Sequence, residues 1–234
     1  MNTLVAEIAR AMRARSAMPK MPDALTIDEG YAIQSQVVDT LADGPVAGIK
    51  AGMTAEGPQK MFGLTHPLVG SLYQWGRLDS GSSFPSLPGV SLECEIGLIV
   101  NDQGVAKSAG PVIEIPFLSW SSSEDAKGSN VAAINVGADR YIVGEFFPLR
   151  DDYESLSVKL TRDKETLCEA SLSEALGGPA KAIEWMLEES TKRGLTLSDD
   201  MLLITGACGG IRPAEPGFHV ADYGELGSIE FTVT

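Results

Sequence analysis

Apolar residues recur at helical spacing near the start of the chain: Leu4, Val5, Ile8, Ala9 and Met12 predict an amphipathic helix over 4–15. Met18-Pro19-Lys20-Met21-Pro22 interrupts it. Thr26-Ile27-Asp28-Glu29 then reads as a capping box, in which the Thr26 hydroxyl accepts from the Glu29 amide and Glu29 reaches back. The helix it opens carries Ile33, Val37 and Leu41 on one stripe to about Ala42, and Asp43-Gly44-Pro45 ends it. From Val46 the period changes. VAGIKAGMT has glycines too frequent for a helix and reads as a short strand, and 64–89 reads as loops with short strands. In VSLECEIGLIV, residues 90–100, strict alternation puts Leu92, Cys94, Ile96, Leu98 and Val100 on one face and Ser91, Glu93, Glu95 and Gly97 on the other.

Residues 111–118 predict another short strand, which Pro116 pushes toward an edge or a bulge. The Ser- and charge-rich stretch 119–130 reads as mobile. Residues 154–170 alternate like a hairpin turning at Arg162-Asp163-Lys164. Gly177-Gly178-Pro179 opens a helix that Gly194 stops. A buried strand at 201–205 leads into a Gly/Pro loop, GACGGIRPAEPG, and 227–233 closes as a strand. Helices first, then mostly strands with one long helix, is an α+β order rather than a βαβ repeat. We expect an N-terminal helical segment over 1–45 on a core over 46–234, the two forming one compact unit.

With 44% hydrophobic residues, the chain is apolar enough to bury a core, and no apolar run is long enough for a membrane span. MNTLVAEIARAMRAR mixes charge with apolarity, so it reads as a helix rather than a signal peptide. A net charge of −14 argues against nucleic acid or an anionic membrane as partner and leaves cations and small molecules open. Three cysteines without a CxxC fit reduced thiols in a cytoplasmic protein. Only two histidines, His66 and His219, are present, so carboxylates and lysines are the expected chemical agents.

Glu93 and Glu95, two apart on one strand, share a face about 6–7 Å apart. An isolated E-x-E is most simply a solvated strand face. Gly97 on the same face leaves room beside the acids, and Glu114 follows one strand later. Three carboxylates converging from two strands suit a hard divalent cation such as Mg2+. Lys50, among glycines and apolar residues, reads as a surface lysine, as an anchor for a substrate carboxylate, or as a proton carrier with a lowered pKa. Thr205 with Gly206, Gly209 and Gly210 follows a buried strand and offers N–H groups and a hydroxyl to an anion, unless it is an ordinary turn.

Taken in order, these stretches resemble the 2-keto-4-pentenoate hydratase / 4-oxalocrotonate decarboxylase family of the fumarylacetoacetate hydrolase superfamily. The landmarks are Tyr31-Ala32-Ile33-Gln34, Gly48-Ile49-Lys50-Ala51-Gly52-Met53-Thr54, Gln59, Gly63 with Pro67 and Gly70, Glu93-Cys94-Glu95-Ile96, Val112-Ile113-Glu114-Ile115, Asn135, Gly177-Gly178-Pro179, Thr205-Gly206-Ala207 and Leu226-Gly227-Ser228. The resemblance implies a mixed β-roll core, Mg2+ or Mn2+ on Glu93, Glu95 and Glu114, and Lys50 as the active-site lysine. It also implies 2-oxo acid substrates or their enols, with Thr205 and Gly206 near the substrate. A homo-oligomer, alone or paired with a related enzyme, is expected. Hydratases of the family usually carry an aspartate where this chain has Leu68, and the segment after Glu114 reads Ile115-Pro116-Phe117-Leu118 in place of the usual Val-Asp-Ser-Arg.

The leading expectation is therefore a metal-dependent lyase that hydrates, decarboxylates or tautomerises a 2-oxo acid through an enolate held on the metal. Leu68, facing the substrate without an acid, tilts it from water addition toward decarboxylation or tautomerisation. The competing readings are an acylpyruvate C–C hydrolase, drawing on His66 with Glu124 or Glu145, and a degenerate metabolite-binding or partner subunit.

Overall fold

The structure, a computed structural model, describes residues 3–234. The N-terminal helices are α1 (Thr3–Ala14) and α2 (Ile27–Leu41). The capping box forms as expected: Thr26 Oγ1 accepts from the Glu29 N–H at 3.2 Å, and the Glu29 carboxylate accepts from the Thr26 N–H at 2.9 Å. There follow β1 (Gly48–Gly52), α3 (Glu56–Met61), β2 (Leu68–Leu72), β3 (Arg77–Asp79), β4 (Ser83–Phe84), β5 (Ser91–Val100), β6 (Ala106–Ile115) and α4 (Gly128–Ala133). Next come β7 (Arg140–Val143), β8 (Phe147–Pro148), β9 (Ser157–Arg162), β10 (Glu165–Ser171) and α5 (Pro179–Lys192). The chain ends with β11 (Met201–Ile204), β12 (Cys208–Pro213), β13 (Gly217–Asp222) and β14 (Ser228–Val233).

A mixed sheet runs β2-β1-β11-β5-β6-β7-β3, and a second runs β10-β9-β13-β14-β4. β1 lies parallel to β11, β3 to β7 and β14 to β4, while the other pairs are antiparallel. The β5 face carrying Leu92, Cys94, Ile96, Leu98 and Val100 is buried as its alternation requires. One hydrophobic cluster joins that face to Val5 and Ile8 of α1, Val37 of α2, and Leu160, Ile229 and Phe231 of the second sheet. A bidentate ion pair from Arg15 to Asp139, at 2.7 and 2.8 Å, ties the end of α1 to the segment before β7.

Three sequence expectations are corrected. The strand placed at 111–118 is β6, which begins at Ala106, ends before Pro116 and lies between β5 and β7 rather than at an edge. Its proline, Pro111, points its carbonyl away from β5 to the Gly144 N–H. In a strand the N–H and C=O of one residue point to the same side, so the missing N–H falls between β7 and β8 and breaks no bond to β5. The stretch 119–130 contains the start of α4, and Asp125 and Asn130 within it are buried and engaged internally. Asp125 is buried and paired with Lys20, and Asn130 Nδ2 donates to the Asp125 carbonyl at 2.8 Å. The expected loop at 206–217 holds β12, whose pairing with β5 slips between Cys208 and Arg212, where Gly209 and Gly210 adopt positive φ. Those glycines mark an irregular strand, a distinction composition does not make.

Candidate functional site

Position two by two along β5 and β6 assembles the acids. Glu93 stands directly opposite Glu114 in the β5–β6 register, and Glu95 is two residues along on the same face. Carboxylate oxygens of all three lie within 4.8 Å of one another. Glu95 and Glu114 are wholly buried, and Glu93 keeps part of its surface in solvent.

Lys50 comes from β1, which is separated from β6 by β11 and β5. In a flat sheet three strand spacings would put the two backbones about 14 Å apart. Here Lys50 Nζ sits 2.6 Å from Glu114 Oε1, because the sheet curls and brings the two strands to face each other. Nζ also donates to the Val136 carbonyl at 3.1 Å. That carbonyl belongs to Asn135-Val136-Gly137, where φ is 54°, 53° and 68°. A β-branched valine in the left-handed region costs of order 1–3 kcal/mol and persists only where its surroundings enforce it. Asn135 supplies the constraint. Its Oδ1 accepts from the Ser71 N–H at 2.7 Å, and its Nδ2 donates to the Ser71 carbonyl at 2.8 Å and to the Tyr73 hydroxyl at 3.0 Å. Gly70, opposite Lys50, allows this approach, since a Cβ there would lie 2.8 Å from the Asn135 carbonyl oxygen.

Glu95 is held from two other sides. β11 and β12 follow one another along β5, and the chain between them passes over Glu95. The Gly206 N–H donates to Glu95 Oε2 at 2.7 Å. The Tyr223 hydroxyl accepts from the Glu95 N–H at 3.2 Å and donates to the Val112 carbonyl at 2.7 Å.

The residues proposed for substrate contact are placed differently from one another. Thr205 has its hydroxyl engaged with the Ile96 carbonyl at 3.0 Å, and the Gly206 N–H is held by Glu95. Both therefore support β5 and its acids in this arrangement, in place of the anion cradle their sequence suggested. Leu68 is buried on β2 opposite Gly52, on the face of the sheet that carries Lys50. His66, considered for a hydrolase, meets only the Pro67 carbonyl, at 2.8 Å, and Glu124 and Glu145 are exposed; no hydrogen bond among the described residues joins them. Tyr223 and the Val136 carbonyl were not singled out from the sequence. A tyrosine in a turn and a backbone oxygen carry no local signal, although Asn135 stood among the family landmarks.

Electrostatics identify what this pocket accepts. Burial pushes Glu93 up to about 7, with repulsion from Glu114 adding and Lys50 opposing. Burial, then Glu114 and Glu93, hold Glu95 well above the ordinary carboxylate range. For Lys50 burial alone would favour the neutral amine, but Glu114, Glu93 and Glu95 outweigh it and raise its pKa. The lowered-pKa reading of Lys50 is thereby corrected: the surrounding acids keep it cationic. Three carboxylates and one ammonium sum to −2 when all are ionised, which one dication cancels. Glu95 Oε1 and Glu114 Oε2 are buried without a hydrogen-bond partner. An all-oxygen donor set with two buried orphan oxygens fits Mg2+, Mn2+ or Ca2+, which prefer carboxylates, over softer ions that prefer sulfur and imidazole.

Two cavities lie away from the acids. One of about 440 Å3 opens between the start of α5 and the Leu149–Glu154 segment, and another of about 290 Å3 is lined by Arg77, Tyr141 and Asp200. Neither includes Lys50 or any of the three glutamates.

No family model matches the chain. Four curated relatives do, each named as a 2-keto-4-pentenoate hydratase. That of Paraburkholderia phymatum is 25% identical, with 97% of this chain and 95% of the relative covered; that of Burkholderia vietnamiensis is 25% identical over 81% and 78%. Among solved structures, the 4-oxalocrotonate decarboxylase of Pseudomonas putida G7, complexed with magnesium and adipate, superposes with a TM-score of 0.89. It covers 99% of this chain and 96% of that one at 18% identity. The chain is thus similar in sequence to curated 2-keto-4-pentenoate hydratases and shares the fold of 4-oxalocrotonate decarboxylase. The fold likeness extends, at a TM-score of 0.59 and 13% identity, to the fumarylpyruvate hydrolase of Pseudomonas aeruginosa solved with Mn2+ and pyruvate, over 82% of this chain and 92% of that one. No helix among the described residues is long and apolar enough to cross a membrane.

Proposed function

We propose that this protein is a divalent-metal-dependent lyase of the hydratase/decarboxylase type acting on a 2-oxo acid or its enol. One observation carries the reading: three carboxylates within 4.8 Å of one another, two of them with buried orphan oxygens, beside a buried lysine. In this reading Glu93, Glu95 and Glu114 hold Mg2+ or Mn2+ and Lys50 is catalytic. A divalent ion there supplies Lewis-acid polarisation of a 2-oxo carboxylate and so favours the enolate form.

The chain's own groups do the rest. Lys50 has three N–H bonds, of which Glu114 and the Val136 carbonyl take two, leaving the third for a substrate oxygen. Held cationic by the acids, Lys50 anchors a carboxylate or donates a proton from Nζ; it is not a free amine base. Gly206 and Tyr223 fix Glu95, so the carboxylate is set before substrate arrives. Leu68 and the buried apolar residues around it exclude water on the Lys50 face.

Leu68 favours decarboxylation or tautomerisation over hydration, because water addition needs a polar group to position the water and decarboxylation needs only an electron sink and one proton. Three buried, reduced cysteines fit a cytoplasmic location, and a homo-oligomer, alone or with a related enzyme, completes the proposal.

Calorimetry with Mg2+, alone and with oxalate as a stand-in for the enolate, tests the site. Binding is expected in the native chain and is lost in Glu95→Ala. Release of CO2 from 4-oxalocrotonate, against water addition to the 2-hydroxydienoate tautomer of 2-keto-4-pentenoate, then separates the reactions. Full activity in excess chelator and in Glu95→Ala would falsify the reading.

A further inference from the structure

The cavity of about 290 Å3 lies in the same curled sheet as the acids but opens separately from them. Ile99 of β5, Leu202 of β11, Val143 of β7 and the Phe146 ring form its apolar wall. Period two puts Ile99 on the β5 face that carries Glu95 and Gly97, so cavity and acids share the inside of the curl. An apolar plug divides them: a Cβ on Gly97 would lie 2.7 Å from Val112 Cγ2, 2.9 Å from Leu202 Cδ1 and 3.0 Å from Phe146 Cζ.

The mouth is polar. Arg77 of β3 stands opposite Tyr141 of β7, whose ring also lines the cavity. Both Arg77 and Gln74 line this mouth, are exposed, and have side chains with no ion pair or hydrogen bond among the described residues. With 32 acidic residues against 18 basic ones, the chain has carboxylates to spare, yet none meets this guanidinium. Asp200 lies on the same rim and shares Lys107 with Asp199, at 2.9 and 3.5 Å, so that edge keeps a net negative charge.

These features select a ligand. One free guanidinium matches one carboxylate, which its planar fork holds through two hydrogen bonds. The apolar wall takes a compact hydrocarbon body, and the volume is near the lower end of the ~300–1,000 Å3 range of small-molecule pockets. Asp200 repels a second negative charge, which disfavours dicarboxylates and phosphates. We propose that this cavity is a second binding site, for a small monocarboxylate with a compact apolar body, its carboxylate on Arg77 and Gln74 and its body against Ile99, Val143, Phe146 and Leu202. The site does not depend on what the three glutamates bind.

Calorimetry of benzoate against the full-length protein in EDTA tests this, with benzamide and phthalate as the neutral and doubly charged comparisons. Benzoate is expected to saturate one site, and both comparisons to bind at least about tenfold more weakly. Arg77→Ala should weaken benzoate about tenfold or more, the loss expected for a charge-assisted hydrogen bond. Arg77 is exposed and makes no ion pair or side-chain hydrogen bond, so the variant keeps its fold. Ile99→Trp fills the cavity and should block benzoate, and Asp200→Asn should bring phthalate closer to benzoate. Glu95→Gln, or saturating Mg2+ with oxalate in place of EDTA, should leave benzoate affinity unchanged, which separates this site from the acidic one. No saturable benzoate binding, an undiminished affinity in Arg77→Ala, phthalate binding as tightly as benzoate in the native chain, or displacement of benzoate by Mg2+ and oxalate would each overturn the proposal.

Discussion

Replacing Glu95 with glutamine should make the metal-free protein more stable while abolishing its stabilisation by Mg2+. The amide oxygen keeps the Gly206 N–H bond that Glu95 Oε2 now accepts at 2.7 Å. The substitution lowers the ionised charge of the cluster from −2 to −1 and removes a buried carboxylate that repels Glu93 and Glu114. A buried charge without full compensation costs about 1–3 kcal/mol or more. With an unfolding entropy of about 2.1 cal/mol/K per residue, a chain of 234 residues gains or loses about 0.5 kcal/mol per degree near Tm. Glu95→Gln should therefore raise Tm in EDTA by about 2–6 °C. In the native protein, Mg2+ at about 100 times its Kd contributes about 2.7 kcal/mol, or roughly 5 °C, and that shift should vanish in the variant. The pH dependence has a fixed sign. Because the folded-state pKa of Glu95 is raised, its unfavourable contribution is absent below the ordinary carboxylate pKa and grows as pH rises above it. The stability gap between variant and native chain should therefore close toward pH 4. Differential scanning fluorimetry across pH, with and without Mg2+, reads all three effects. A variant destabilised in EDTA that keeps the Mg2+ shift would refute both the placement of Glu95 and its electrostatics.

Lys50→Met leaves Glu114 Oε1 buried without its partner at 2.6 Å, so urea unfolding in EDTA should show a loss of about 3–5 kcal/mol, and turnover should fall to background; an equally stable, active variant would contradict the buried pair. Asn135→Ala strips the clamp on Ser71 and Tyr73 and should cost at least about 2 kcal/mol, with a reduced kcat, because the Val136 carbonyl then drifts from Lys50; unchanged kcat and stability would show that the strained turn holds without it. His219 is buried against Phe231, its Nε2 has no partner, and burial lowers its pKa. The unfolded chain therefore takes up a proton before the folded one does, and the native protein should lose stability between pH 7 and 5 faster than His219→Gln. Parallel slopes in urea titrations across that range would exclude a contribution from this histidine.

Local pattern explains why so much of the scaffold was readable. The Thr26–Glu29 box, the 179–192 helix after Gly177-Gly178, and the hairpin at Asp163-Lys164 are short-range devices whose residues carry the instruction themselves. The errors lie where neighbours decided the outcome. Pro111 sits inside a strand because the adjacent strand switches from β7 to β8 beside it. The polar run before α4 is ordered because Asp125 meets Lys20, distant in sequence, and Asn130 of α4 bonds back to its carbonyl.

For the acidic cluster, the sequence by itself determined that Glu93 and Glu95 share a strand face, since side chains alternate with period two, and it supplied a glutamate and a lysine in strands of suitable character. Only tertiary structure decided that Glu114 pairs with Glu93 and that the sheet curls far enough to bring Lys50 onto Glu114. It also set a left-handed turn at Val136 to receive the lysine's second hydrogen bond. The reason is one of range. Alternation is written in successive residues, whereas register, curl and strain come from packing between segments distant in sequence, and the pocket's charge balance exists only once those segments meet.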